Sequence, residues 1–212
     1  RCGAEYFIDV LRDGDVVSIT GGSTMLEFAN SLKADKKYIN SVIVPARGSM
    51  GKEVDIQSNN IVATVSKKLN SHYKLLQIPD ELGGEAMRTI TQEPQIKNTL
   101  DTIDKTDVLV FGIGRADEMA MRRKLPKEQV KEIISKGAVG EVFGHYFNNK
   151  GDIVYKLNTV GINLETFQEV KENIAIFGGT RKAEALIAMT SINKNIVLIT
   201  DEESAHKILE LL

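Results

Sequence analysis

The sequence predicts an α/β fold, a doubly wound and mainly parallel sheet with a small hairpin excursion. Short apolar, β-branched runs alternate with amphipathic helical spacing along most of the chain, the rhythm of a parallel sheet covered by helices on both faces. Two of those runs feed glycine loops that open helical stretches, Gly21-Gly22-Ser23-Thr24 and Gly178-Gly179-Thr180-Arg181-Lys182. Residues 137–155 alone break the rhythm.

The elements follow in order. Strands are expected at 16–20, 42–44, 74–78, 108–111, 174–177 and 196–200. After the first, Met25, Leu26, Phe28, Ala29 and Leu32 fall on one helical stripe, as i, i+3, i+4 spacing requires. Ile61, Val62, Val65 and Leu69 repeat the pattern after the second strand, and Ala183, Leu186, Ile187 and Ala188 do so after Gly178-Gly179. Ile208, Leu209 and Leu212 close the chain on a last helix. Within 137–155, Val139, Val142 and Phe143 lead through Phe147-Asn148-Asn149-Lys150-Gly151-Asp152 into Ile153 and Val154, which reads as a hairpin carrying a turn. No repeat, low-complexity tract or Pro-rich linker marks an internal boundary, so residues 1–212 read as one domain.

Composition narrows the function. With 212 residues, 42% of them hydrophobic, the chain can bury a substantial core. A net charge of −2 gives no basic footprint for nucleic acid, and Met121-Arg122-Arg123-Lys124 is too short to change that. The lone Cys2 excludes an intrachain disulfide and a Cys-based zinc site, and fits a reducing compartment. His72, His145 and His206 lack metal-like spacing, so no metal or cofactor is expected. Apolar runs are far shorter than a membrane span and no signal peptide appears, so a cytoplasmic protein is expected. Arg1-Cys2-Gly3-Ala4 lacks an initiator Met and enters a helical pattern at once, as a piece of a longer protein would.

In an open α/β sheet ligands collect outside the carboxyl ends of the strands, so both glycine loops belong on one rim. Gly21-Gly22-Ser23-Thr24 can present helix-start N–H groups and two hydroxyls to an anion, or can be a tight turn with a Ser or Thr N-cap. It is neither a Walker loop nor G-x-G-x-x-G. Gly178-Gly179-Thr180-Arg181-Lys182 adds two cations where the helix dipole disfavours them; a bound phosphate would reverse the conflict, and solvation is the alternative. Arg47, in Pro45-Ala46-Arg47-Gly48-Ser49-Met50-Gly51, can fork onto a phosphate. Gln57 precedes a helix and can reach a hydroxyl or phosphate oxygen, and Arg122 is a further cation. Glu141, set in an apolar run between glycines, is in an unusual place for a carboxylate unless it is paired or faces a cavity. It can accept from sugar hydroxyls, act as a general base in an isomerase or deaminase, or lie on an exposed edge.

Taken in order, Gly21–Thr24, the Arg47 loop, 108–114, Gly137-Ala138-Val139-Gly140-Glu141, 147–151, Gly178–Lys182 and Leu198-Ile199-Thr200-Asp201-Glu202 resemble the effector-binding domain of SorC/DeoR-type bacterial transcriptional regulators. The resemblance covers nearly the whole chain. It implies a Rossmann-like sheet related to sugar-phosphate isomerases, glucosamine-6-phosphate deaminases and CoA transferases, used for sensing rather than turnover. It further implies a repressor of glycolytic genes with fructose 1,6-bisphosphate as inducer. Dihydroxyacetone phosphate, glucose 6-phosphate and fructose 6-phosphate are other occupants it suggests. Operator DNA would be bound through an N-terminal helix-turn-helix region outside this chain, by a homo-oligomer, dimeric or tetrameric on DNA. Carried over, Ser23, Thr24 and Arg47 would hold one phosphate with help from Gln57. Gly178, Gly179 and Thr180, Arg181 or Lys182 would hold the other, Arg122 would reach in, and Glu141 would bind sugar hydroxyls.

Overall fold

The computed structural model describes residues 1–50 and 53–212; Gly51, the last residue of the Arg47 loop, lies outside the described residues. The chain runs α1 (Cys2–Val10), β1 (Val16–Ile19), α2 (Ser23–Ser31), β2 (Val42–Pro45), α3 (Ser58–Leu69), β3 (His72–Tyr73), α4 (Gly84–Ile90) and α5 (Pro94–Ile103). It continues through β4 (Val108–Phe111), β5 (Gly114–Arg115), α6 (Ala116–Arg122), α7 (Lys127–Ser135), β6 (Ala138–Val142), β7 (His145–Asn148) and β8 (Ile153–Lys156). It ends with α8 (Leu164–Glu169), β9 (Glu172–Ile176), α9 (Ala183–Ile192), β10 (Val197–Ile199) and α10 (Glu202–Leu211).

Six strands form one parallel sheet in the order β3-β2-β1-β4-β9-β10. The direction of winding reverses between β1 and β4, whose register pairs Ser18 with Leu109. Central strands such as Val108-Leu109-Val110-Phe111 are apolar at every position because both faces of a doubly wound sheet are covered. Val17, Ile19, Ile43, Val110 and Ile174 pack against α1, α2 and α3 through Phe7, Phe28 and Val65. On the other face Val44, Leu109, Phe111 and Ala175 pack against α8 and α9 through Phe167, Leu186 and Met189. Phe111, Phe143 and Phe167 meet pairwise with ring centroids 5.3–5.7 Å apart, which ties the sheet to the excursion.

That excursion is larger than a hairpin. β5, β6, β7 and β8 make a separate four-stranded antiparallel sheet, with Glu141 opposite Tyr146 and Val142 opposite His145. The two-residue β6–β7 turn places Phe143 at φ 49 and Gly144 at φ 81. Positive φ at both central residues matches the right-handed twist of a hairpin, but is strained for a bulky aromatic.

Two sequence expectations need correction. The strand expected at 74–78 is β3 at His72–Tyr73. Beyond Lys74, whose N–H still reaches the Ile43 carbonyl at 3.0 Å, the Asn59 side chain takes over. It accepts from Leu76 N–H at 3.0 Å and donates to the Leu76 carbonyl at 3.1 Å, so a helix side chain replaces the ladder. The closing apolar stripe also fails: Leu209 and Leu212 are 70% and 83% exposed, and only Ile208 packs against the core.

α10 is anchored at its start instead. Asp201 accepts from Ser204 N–H at 2.8 Å as N-cap and, through its other oxygen, from Gly179 N–H at 2.9 Å. These bonds, Ser204's first and then Gly179's, hold the Asp201 carboxyl below the usual carboxylate range.

Two outcomes follow for stability. Phe111→Ala, at a fully buried position, should cost about 3–5 kcal/mol in urea unfolding. Because the folded pKa of Asp201 is depressed, its contribution is complete above the ordinary carboxylate range and disappears as pH falls through the lowered value. Melting curves of wild type and Asp201→Asn should therefore differ at neutral pH and converge on acidification; a gap that persists in strong acid would contradict the anchor's ionic character.

Candidate functional site

Where the strand order reverses, the loops after β1 and β4 part and leave a cavity of about 130 Å³, the position at which doubly wound sheets take ligands. Gly21, Gly22, Ser23 and Thr24 form one wall. Arg47, Gln57, Arg122, Glu141 and Lys182 reach it from four other segments, and Gly112, Ile113 and Gly114 close it below.

The first glycine loop is shaped by close backbone contact. A Cβ on Gly21 would lie 2.6 Å from the Ile56 carbonyl oxygen, and Gly22, at φ 121, donates its N–H to that same oxygen at 2.9 Å. Gly22 is the N-cap of α2 and no side chain caps the helix. The Ser or Thr cap considered from sequence is absent, so the hydroxyls of Ser23 and Thr24 are not spent on the helix. α2 presents its first N–H groups and the positive end of its dipole at the cavity wall.

Beneath the opposite wall lies a buried ring of four charges. Arg47 forks onto Asp80, Nε to Oδ1 at 2.8 Å and Nη2 to Oδ2 at 2.7 Å. Arg123 bridges the two carboxylates, Nη1 to Asp80 Oδ2 at 2.7 Å and Nη2 to Glu141 Oε1 at 3.0 Å. Arg47 Nη2 closes the ring 3.6 Å from Glu141 Oε1. Side-chain exposure is 10% for Arg47, 3% for Asp80 and 2% for Arg123 and Glu141. Burial opposes the Arg47 charge, but Asp80 and Glu141 outweigh it and raise the guanidinium pKa. Glu141 Oε1 also accepts from Gly144 N–H at 2.6 Å, which fixes the strained Phe143-Gly144 turn. Tyr146 lies beside the ring; burial first, and then Glu141, raise its phenol pKa.

Arg47 is thus at the cavity, as expected, but its fork is filled by Asp80. Glu141 is both paired and cavity-facing, and is not on an exposed edge. Gln57 spends part of its amide on the loop before it: Oε1 accepts from Met50 N–H at 3.1 Å and Nε2 donates to the Met50 carbonyl at 2.9 Å. Ser58, next in sequence, donates to the Arg47 carbonyl at 3.1 Å.

The remaining cations behave differently. Among the described residues, Arg122 and Lys182 line the cavity without an ion pair. Lys182 is half-buried, and burial lowers its pKa, with Glu118 opposing and Arg122 reinforcing the shift. The ring sums to zero, so Arg122 and Lys182 give the cavity its positive charge.

Most of the second glycine loop stands apart. Gly178, Gly179, Thr180 and Arg181 are exposed and absent from the cavity wall. Gly179 N–H is taken by Asp201, and Arg181 pairs with Glu118 at 3.2 Å. Residues 180–182 form a single 3₁₀ turn that carries Lys182 inward alone. Sequence reasoning passed over Asp80, Arg123 and Tyr146. Arg123 sits inside a basic cluster read only as too short to bind nucleic acid, and Asp80 sits in a Pro-Asp-Glu turn of ordinary appearance; neither has a local signal for burial. The described residues contain no group of His, Cys, Asp and Glu able to hold a metal, and no helix long and apolar enough to cross a membrane.

Comparison with known proteins agrees with this architecture. Residues 1–210 match the Sugar-bind family model, a sugar-binding domain. The central glycolytic genes regulator of Priestia megaterium is 42% identical over 92% of this chain, and that of Bacillus subtilis is 40% identical over 92%. The chain spans 57% of the length of each. A SorC-family transcriptional regulator from Enterococcus faecalis superposes with a TM-score of 0.88 at 34% identity, covering 97% of this chain and 85% of that one. The full-length sorbitol operon regulator SorC from Klebsiella pneumoniae shares the fold, with a TM-score of 0.89 at 19% identity over 98% of this chain and 69% of that one. The chain belongs to the Sugar-bind family, the sugar-binding domain of SorC/DeoR-type transcriptional regulators.

Proposed function

We propose that the cavity is the sensor of a glycolytic repressor and that its inducer is a doubly phosphorylated sugar, fructose 1,6-bisphosphate. The carrying observation is the cavity's charge: a neutral buried ring, two unpaired cations, and the uncapped start of α2. One phosphate is held by Ser23, Thr24 and the first N–H groups of α2, a helix N-terminus being a ready anion site. The other is held by Arg122 and Lys182. Glu141 accepts from the sugar hydroxyls between them. A monophosphate such as dihydroxyacetone phosphate, glucose 6-phosphate or fructose 6-phosphate leaves one of the two anion sites unfilled and binds more weakly.

The role is sensing rather than turnover. Glu141 is held by Arg123 and Gly144, an arrangement suited to accepting hydrogen bonds and not to shuttling protons. The bound state acts on operator DNA through a DNA-binding region supplied by the rest of the protein, in a homo-oligomer. The inducer weakens that binding only by preferring one conformational or assembly state over the other.

Calorimetry with fructose 1,6-bisphosphate tests the site. Thr24→Ala and Lys182→Ala should each weaken binding about 10- to 150-fold, the equivalent of one charge-assisted bond of roughly 1.5–3 kcal/mol. Wild-type affinity in both variants would refute the assignment, and interconversion of phosphosugars abolished by Glu141→Gln would refute the sensing role. Gly21→Ala, which drives a Cβ into the Ile56 carbonyl, should weaken binding as well, because the loop and the start of α3 cannot both keep their places.

A further inference from the structure

Only two members of the buried ring, Arg47 and Glu141, reach the cavity wall; Asp80 and Arg123 stand behind them. Among the described residues, the hydrogen bonds and ion pairs of Glu141 all engage Oε1: Gly144 N–H at 2.6 Å, Arg123 Nη2 at 3.0 Å and Arg47 Nη2 at 3.6 Å. That leaves Oε2 without one, on a side chain that lines the cavity. Arg123 is the nearer of the two ring cations to Glu141 and hydrogen-bonds both carboxylates, where Arg47 stands 3.6 Å from Glu141, and its guanidinium is as buried as the carboxylates it serves.

We propose that Arg123 is the positioning residue of this site: it locks Glu141 Oε1 and so offers Oε2 to a ligand hydroxyl, which gives the cavity its preference for a polyhydroxylated over a plain bisphosphate. This rests on the reading of the cavity as a phosphosugar site. With Arg123 removed, Oε1 keeps only Gly144 N–H and the more distant Arg47, so the carboxylate can turn and Oε2 is no longer aimed at a ligand hydroxyl. Without Arg123, Arg47 must also serve two carboxylates alone, and it is already bidentate on Asp80.

The test has two arms. In the ligand-free protein, a crystal structure of Arg123→Met should show the Glu141 carboxylate turned from its wild-type position, while Arg123→Lys, which keeps the charge, should hold it closer to that position. In the second arm, fructose 1,6-bisphosphate is compared with 1,6-hexanediol bisphosphate, which carries both phosphates and no other hydroxyl. Arg123→Met should lose about tenfold or more in affinity for the sugar, with little change for the hexanediol. If Glu141 keeps its wild-type position in Arg123→Met, or if both ligands weaken equally, the positioning role is wrong. Wild-type protein that binds neither ligand would overturn the phosphosugar reading instead, and with it the claimed preference, while the first arm still decides whether Arg123 positions Glu141.

Discussion

The structure depends on a ring of four buried charges. Asp80 and Glu141 are both nearly solvent-free, and each would be intolerable there as an unpaired ion; removing one partner of such a pair costs about 3–5 kcal/mol. Arg47 and Arg123 alternate with them, so every carboxylate touches two guanidinium groups and the sum is zero. The four residues come from four segments: the loop after β2, the turn before α4, the end of α6 and the second strand of the antiparallel sheet. The ring is therefore the polar joint between the parallel sheet and the excursion, beside the aromatic one made by Phe111, Phe143 and Phe167.

That joint explains how a cavity with excess positive charge persists. Arg47 is neutralised internally, so the cations left over, Arg122 and Lys182, are the ones with something still to gain from a ligand. They share the cavity with an uncapped helix start, whose N–H groups favour the same kind of ligand. The shape of the crevice follows from topology, since β1 and β4 send their chains in opposite directions and their loops must diverge. Glu141 lines the same cavity, strapped to a turn in which Phe143 holds a positive φ. A ligand that bonds Glu141 touches the strained turn, the ring and both sheets at once.

Much of this was legible in the sequence. The parallel strands were readable because buried runs such as Val108-Leu109-Val110-Phe111 need no alternation, and the glycine loop at 21–24 announced itself by residue type. Gly21, Gly22, Ser23, Thr24, Arg47, Gln57, Arg122, Glu141 and Lys182 do converge on one cavity. The ring was illegible because its pairings join residues far apart in the chain, such as Arg47 with Asp80 and Arg123 with Asp80. Nothing local distinguishes buried Arg123 from exposed Arg122. Residues 178–181 lie outside the cavity wall for a related reason: the Gly179 N–H is claimed by Asp201, a residue 22 positions away. The β3 boundary was misplaced because one asparagine, Asn59, satisfies the backbone where a ladder was expected.

The most direct measurement is a crystal structure of this domain with fructose 1,6-bisphosphate. One phosphate should lie within hydrogen-bonding distance of the Ser23 and Thr24 hydroxyls at the start of α2, the other against Arg122 and Lys182, with a sugar hydroxyl on Glu141 and the Arg47–Asp80–Arg123–Glu141 ring intact. A ligand seated outside this crevice, or a ring broken to free Arg47 for the phosphate, would contradict the account.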